Sequence, residues 1–358
     1  MKDIDQALSN GPFSVNWTEK AELYKTALRD LTSHHRDNCA PYRRILDGMS
    51  YDDRSCRGVL DFPYLPVRIF KMHELASVER SQIIRTMTSS GTTGQSVSKI
   101  FLDRETSAAQ TKALVRITSD FLGSKRLPMI VVDSSEVLKD RLMFSARGAG
   151  ILGFSMLGRE VVYALDGDMR INRGALEDFL AKHSGRNILL FGFTYMIWEH
   201  FYKPLADSGG MNIENGVLIH GGGWKKLESA SVSAEQFKSS LRETLGITRV
   251  HNYYGMVEQT GSIFMECGEG RLHCSVYSDV ITRRHRDFSP CDEGEAGLVQ
   301  VLSLLPRSYP GHSILTEDVG VVTGTDDCPC GRLGRTFKII GRVQNAEARG
   351  CSDTYEKG

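Results

Sequence analysis

The sequence predicts an α/β protein with a largely parallel sheet, preceded by a helical segment and followed by a mostly β subdomain. Three observations predict it. The middle of the chain alternates short apolar runs that end in turn residues with amphipathic helical stretches, the pattern of a parallel sheet. The first 80 residues carry helical periodicity. After about Cys267 the texture changes to short β-like runs separated by turns.

Taken in order, "TEKAELYKTALRDLTSHH" (Thr18–His35) has apolar residues at helical spacing, with Thr18 as a candidate N-cap. "FPYLPVRIFK" (Phe62–Lys71) contains two prolines and reads as an extended connector. "LPMIVVDSS" and "RNILLFGFT" are buried strands, and "GALEDFLAKHSG" between them is a helix stopped at Gly185. "NGVLIHGGGW" and "TRVHNYYGM" each join an apolar run to a glycine turn, with the helical "SAEQFKSSLRETLG" between them. "AGLVQVLSL" and "FKIIGRV" carry the later β texture. The expected organisation is a helical segment (1–80), an α/β core (81–266), a mostly β subdomain (267–343) and a short tail (344–358).

Composition excludes several classes. The 358 residues are 41% hydrophobic and 25% charged, and 44 basic residues balance 44 acidic ones. A broad nucleic-acid or membrane-binding surface is not expected from zero net charge. The N-terminus lacks an apolar signal segment and no run is long enough to span a bilayer, which places the expectation in the cytoplasm. The eight cysteines of such a chain read as reduced thiols, ligands or a nucleophile.

"TMTSSGTTGQSVSKI" (Thr86–Ile100) concentrates Ser, Thr and Gly. A P-loop requires lysine and a hydroxyl residue after its second glycine, whereas Gly91 and Gly94 are closely spaced and Gln95 follows. Glycines still let backbone N–H groups converge on phosphate oxygens, and the hydroxyls of Ser89, Ser90, Thr92 and Thr93 add donors. Lys99 adds charge if the loop folds back. Read alone, the stretch is equally a surface loop.

"SSGTTG" resembles the phosphate loop of the adenylate-forming enzymes, and three further segments resemble that superfamily in the same order. In "NYYGMVEQTG" the resemblance implies Tyr254 as the adenine platform, followed by Gly255, with Glu258 helping to hold Mg2+. In "LTEDVGVV" it implies that Asp318 bonds the ribose hydroxyls, and in "FKIIGRV" that Arg342 also meets the ribose. Together "FPYLPVRIFK", "SSGTTGQSVSKI", "LLFGFTYMIWE", "HGGGWKK" and "RGCSDT" resemble the acyl-protein synthetases of bacterial bioluminescence operons, nearly end to end, and "CPCGR" is shared with phenylacetate-CoA ligases. The resemblance implies the large N-terminal domain of adenylate-forming enzymes, ATP and Mg2+ as cofactors, a fatty acid as substrate, and an acyl reductase as protein partner. It also implies that the acyl group is loaded onto the enzyme's own cysteine.

Sixteen residues follow Arg342, so a full mobile C-terminal domain is not expected. Cys351, between Gly350 and Ser352, is the candidate acyl carrier; read without the resemblance it is an unreactive tail thiol. Lys225 and Lys226 after "HGGGW" read as a solvated surface pair, whereas the resemblance implies that one of them, Lys225 as the candidate, touches a phosphate or carboxylate. Tyr253 reads as a core aromatic, and His251 as a capped or buried core residue. His220 either lines the site or terminates a strand. Trp198 reads as core, in a segment that equally suits an acyl tunnel.

Cys267, His273, Cys328 and Cys330 lie in "ECGEGRLHC" and "CPCGR" and suit a structural zinc or a pair of buried reduced turns, with Cys274 as a competing ligand. Two other functions use the same features: a CoA ligase in which Cys351 is irrelevant, and a non-enzymatic scaffold that docks a reductase.

Overall fold

A computed structural model gives the structure, which describes residues 9–89, 97–138, 146–224 and 231–343. Its strands, in chain order, are β1 (Leu65–Pro66), β2 (Arg85–Thr88), β3 (Lys99–Leu102), β4 (Leu127–Ser134), β5 (Gly158–Leu165), β6 (Ile188–Phe193), β7 (Gly216–Gly221), β8 (Arg249–Tyr254), β9 (Phe264–Glu266), β10 (Leu272–His273), β11 (Ser278–Arg283), β12 (Ala296–Ser303), β13 (Ser313–Thr325) and β14 (Arg335–Arg342). The chain divides into two compact units, one centred on 121–253 and one built from 1–89, 95–120 and 254–347.

The first of these units is the expected parallel sheet. Its strands lie in the order β5-β4-β6-β7-β8, and every pairing is parallel. β6 and β7 are buried at every position, the pattern of strands covered on both faces. The helix Ala234–Leu245 crosses from β7 to β8; Ser233 caps its start by accepting the Gln236 amide, and Gly246 closes it at φ +70°. The helix Arg173–Lys182 ends at His183, two residues before Gly185, which has φ +70°. After β6 the chain forms a π-helical turn, Ile197–Tyr202, which periodicity did not reveal.

The second unit is mostly antiparallel, in the order β11-β12-β13-β14-β10-β9, with β1 added parallel to β13. The helix Trp17–Asn38 belongs to this unit. It buries Tyr24, Ala27 and Leu28 against Ile281, Leu302 and Leu304 of the β11–β12 region. Its cap is Asn16, whose side chain accepts the Glu19 amide at 3.0 Å, in place of Thr18. "FPYLPVRIFK" is only partly an extended connector, because Ile69–Met72 forms a helical turn after β1.

A buried ion pair fixes the helix in this unit. Lys20 and Asp279 are both almost completely buried, with Nζ 2.8 Å from Oδ2, and Nζ also donates to the Ser278 carbonyl at 2.8 Å. Lys20→Met leaves the Asp279 carboxylate buried without its ammonium, so the expected loss is about 3–5 kcal/mol. Adding Asp279→Leu is expected to recover most of it. Urea unfolding of the single and double variants checks both; a single-variant loss below about 1 kcal/mol would contradict the arrangement.

Candidate active site

The site is built on a strand register. In the β13–β14 pair, Asp318 stands opposite Arg342. Arg342 Nε lies 3.1 Å from Asp318 Oδ1, and the Tyr254 hydroxyl donates to Asp318 Oδ2 at 2.7 Å. The Asp318 amide donates to Thr316 Oγ1, whose hydroxyl donates to the Val299 carbonyl, so the backbone carrying the carboxylate is held from β12. Burial and the neighbouring Asp318 charge raise the Tyr254 phenol well above its ordinary value, so it remains a hydrogen-bond donor at neutral pH. The Tyr254 ring packs near Phe264 and Phe337, each at 6.0 Å between centroids. Gly255, next in the chain, is exposed.

Glu258 is only 3% exposed, so it is not a surface carboxylate. Its short helical turn, Val257–Gln259, is anchored by buried polar contacts. The Tyr309 hydroxyl donates to the Glu258 carbonyl at 2.9 Å, and Gln110 Nε2 donates to the Tyr309 oxygen at 3.3 Å. Gln259 Nε2 donates to the carbonyls of Gly311 and Val301. Gly261 closes the segment at φ +85°, where an added Cβ would lie 2.5 Å from the Gln110 carbonyl. Only glycine lets the turn approach helix Arg104–Leu122 this closely. Gln110 and Tyr309 lie in none of the motifs, and Thr316, though inside "LTEDVGVV", was given no role there.

Of the Ser/Thr loop, Ser89 is described: its Oγ accepts the Ser98 amide at 2.9 Å and its own amide donates to the Ser98 carbonyl, joining the ends of the loop between β2 and β3. Ser90, Gly91, Thr92, Thr93 and Gly94 lie outside the described residues, as do Lys225 and Cys351. Lys99 pairs with Glu74 at 3.3 Å.

In the parallel unit, His220 is the penultimate residue of β7 and is buried, and burial, then Lys238 and His251, push its imidazole down to about 3. It is neutral. Thr194 Oγ1 lies 2.9 Å from His220 Nδ1 and 2.8 Å from the Gly222 carbonyl. One hydroxyl proton serves the carbonyl, so Nδ1–H donates to Thr194. Trp198 is buried and stacked on Tyr202 at 4.4 Å, which fits its core reading. Tyr253 stacks on Phe191 and tilts against Phe154, also as a core aromatic, while His251 is partly buried beside Phe121.

The four cysteine and histidine residues converge. One ligand atom from each of Cys267, His273, Cys328 and Cys330 lies within 4.8 Å of the others. The Cys267 and Cys328 sulfurs are 3.8 Å apart, and Cys330 Sγ is 3.3 Å from His273 Nε2. Tetrahedral Zn–S bonds of about 2.3 Å place two thiolates about 3.8 Å apart, so the donor set and its size fit zinc. Burial, then Arg332 and Arg271, lower the His273 imidazole to about 4, leaving it in the neutral ligand form. Cys274 is outside the group; it is buried, with its thiol raised by burial and by Asp279.

The fold is that of the adenylate-forming ligases. Among solved structures, a 2-hydroxyisobutyryl-CoA ligase complexed with 2-HIB-AMP and CoA is similar in fold, with a TM-score of 0.71 at 16% identity over 92% of this chain and 71% of that one. The family model described as acyl-protein synthetase, LuxE, matches residues 2–357, and the chain belongs to that family of ligases. It is 22% identical to the long-chain-fatty-acid–luciferin-component ligase of Vibrio harveyi over 98% of this chain and 92% of that protein. The phenylacetate-coenzyme A ligase of Thermus thermophilus is 23% identical over 90% of this chain and 70% of that protein. No described helix is long and apolar enough to cross a membrane.

Proposed function

We propose that this acyl-protein synthetase activates a fatty acid with ATP, takes the acyl group onto Cys351, and passes it to an acyl reductase. The observation that carries the first step is the convergence of Tyr254, Asp318 and Arg342, from three separate motifs, on one carboxylate. A carboxylate flanked by a phenol and a guanidinium suits a ribose diol: the Asp318 oxygens accept from its hydroxyls while Arg342 and Tyr254 hold the carboxylate in place. Tyr254 also presents its ring to adenine. The Gly/Ser/Thr loop donates to the phosphates, and Lys225 adds a cation. Buried Glu258 offers the hard oxygen donor that Mg2+ prefers, and the bound ion would screen phosphate charge.

In the first step a fatty-acid carboxylate oxygen attacks the α-phosphorus, and the bond to pyrophosphate breaks. In the second, the Cys351 thiolate attacks the acyl carbonyl and AMP leaves, the thiol proton having passed to solvent. A thioester keeps the acyl group activated for transfer to the partner. The near full-length similarity to a fatty-acid ligase supports the choice of acid.

Three outcomes are expected. Glu258→Gln and Asp318→Ala should each lower fatty-acid-dependent pyrophosphate–ATP exchange, the latter through loss of about 1–3 kcal/mol of hydrogen bonding. Normal exchange in both variants would remove the assignment.

Cys351→Ser should still release acyl-AMP but retain no hydroxylamine-sensitive label from radioactive fatty acid. Persistent thioester label would point to another cysteine; label absent even from wild type, with CoA accepting the acyl group, would favour a CoA ligase.

The Cys/His group supports a structural zinc joining the β9–β10 hairpin to the turn before β14. Purified protein should carry about one zinc per chain, and strong chelation should lower its melting temperature. Metal-free protein with unchanged melting would exclude it.

A further inference from the structure

The FPYLPVRIFK segment has no part in the chemistry above, yet the fold carries one of its residues to the edge of the ribose-binding carboxylate. β1 pairs parallel with β13, Leu65 beside Ile314 and Pro66 beside Leu315, and the Val67 amide donates to the Leu315 carbonyl at 2.9 Å. The next residue, Arg68, forms an ion pair through Nε with Glu317 Oε1. The second Glu317 oxygen lies 3.6 Å from Arg342 Nη2, and Arg342 Nε lies 3.1 Å from Asp318. Charges therefore alternate along Arg68, Glu317, Arg342 and Asp318, and the row ends on the Tyr254 hydroxyl.

We propose that Arg68 is a positioning residue for ribose recognition: it draws the Glu317 carboxylate onto itself and so leaves Arg342 committed to Asp318. This rests on the adenylation reading above. Arg342 stands between two carboxylates from adjacent residues of one strand. Coulomb attraction falls with distance, and its contact with Asp318 is the shorter of the two. The Glu317 and Asp318 side chains are only 13% and 19% exposed, so water screens their pull on Arg342 weakly, whereas Arg68 is 51% exposed. Without Arg68, the full charge of Glu317 competes for Arg342 and pulls it from the ribose. Because a half-exposed ion pair contributes little to folding, removal of Arg68 should change nucleotide recognition and leave stability nearly intact.

The sign of the coupling tests this. Wild type, Arg68→Ala, Arg68→Lys, Glu317→Gln and the Arg68→Ala/Glu317→Gln pair are compared in fatty-acid-dependent pyrophosphate exchange with ATP and with 2′-deoxy-ATP. Arg68→Ala is expected to raise KM for ATP about tenfold, with kcat within about twofold and an unchanged melting temperature, and to shrink the preference for ATP over 2′-deoxy-ATP. Adding Glu317→Gln should bring KM back to within about threefold of wild type, as should Arg68→Lys. A deleterious Arg68→Ala effect that Glu317→Gln fails to relieve, an unchanged KM, or a fall in kcat alone would each overturn the proposal. Those outcomes are read against a wild type that exchanges; a wild type without exchange overturns the adenylation reading itself, and this proposal with it.

Discussion

The register of β13 against β14 is the constraint on which the site depends. Asp318 and Arg342 are 24 positions apart in sequence and reach each other because the antiparallel pair aligns them. The alignment is not a uniform ladder: it shifts between Val319 and Gly320 and again between Val322 and Gly324, so irregularities separate the ion pair from the far end of the ribbon. A one-residue slip would send both side chains to the opposite face. The Thr316 hydroxyl, bonded across to Val299, holds this stretch of β13 to β12 next to the carboxylate.

The same ribbon has the Cys/His group at its other end. Cys328 and Cys330 lie in the turn between β13 and β14, and His273 pairs with Thr336 in β10–β14. A metal there would pin the turn from which the register is counted. The two clusters are chemically unrelated, but both bear on one strand pair: cysteine sulfurs and imidazole at one end, carboxylate, guanidinium and phenol at the other.

Much of this was legible in the sequence. β6 and β7 showed as apolar runs because strands buried on both faces have few polar positions to interrupt them, whereas β5, with exposed and half-buried positions along its length, was not read as a strand. Asp318, Arg342 and Tyr254 were legible as motif residues. What the sequence left open depends on contacts between distant segments. Glu258 was marked by its place after Tyr254 and Gly255, but the Tyr309 hydroxyl bonded to its carbonyl and the Gln110 amide behind that hydroxyl were not. Arg68 meets Glu317 across 249 residues, which no local pattern encodes. Asn16 and Thr18 are both sound capping residues, and only the geometry of the first turn selects Asn16. The π-helical turn at Ile197–Tyr202 left the apolar spacing too little altered to be noticed.

In the proposed reaction Asp318, oriented by Tyr254 and Arg342, receives the ribose of the nucleotide. A crystal structure with a non-hydrolysable acyl-sulfamoyl-adenosine tests it most directly. Both ribose hydroxyls are expected within hydrogen-bond distance of the Asp318 carboxylate, with Arg342 still paired to it and the Tyr254 ring against adenine. A nucleotide bound with its ribose remote from Asp318, while the carboxylate stays closed on Tyr254 and Arg342, would contradict it.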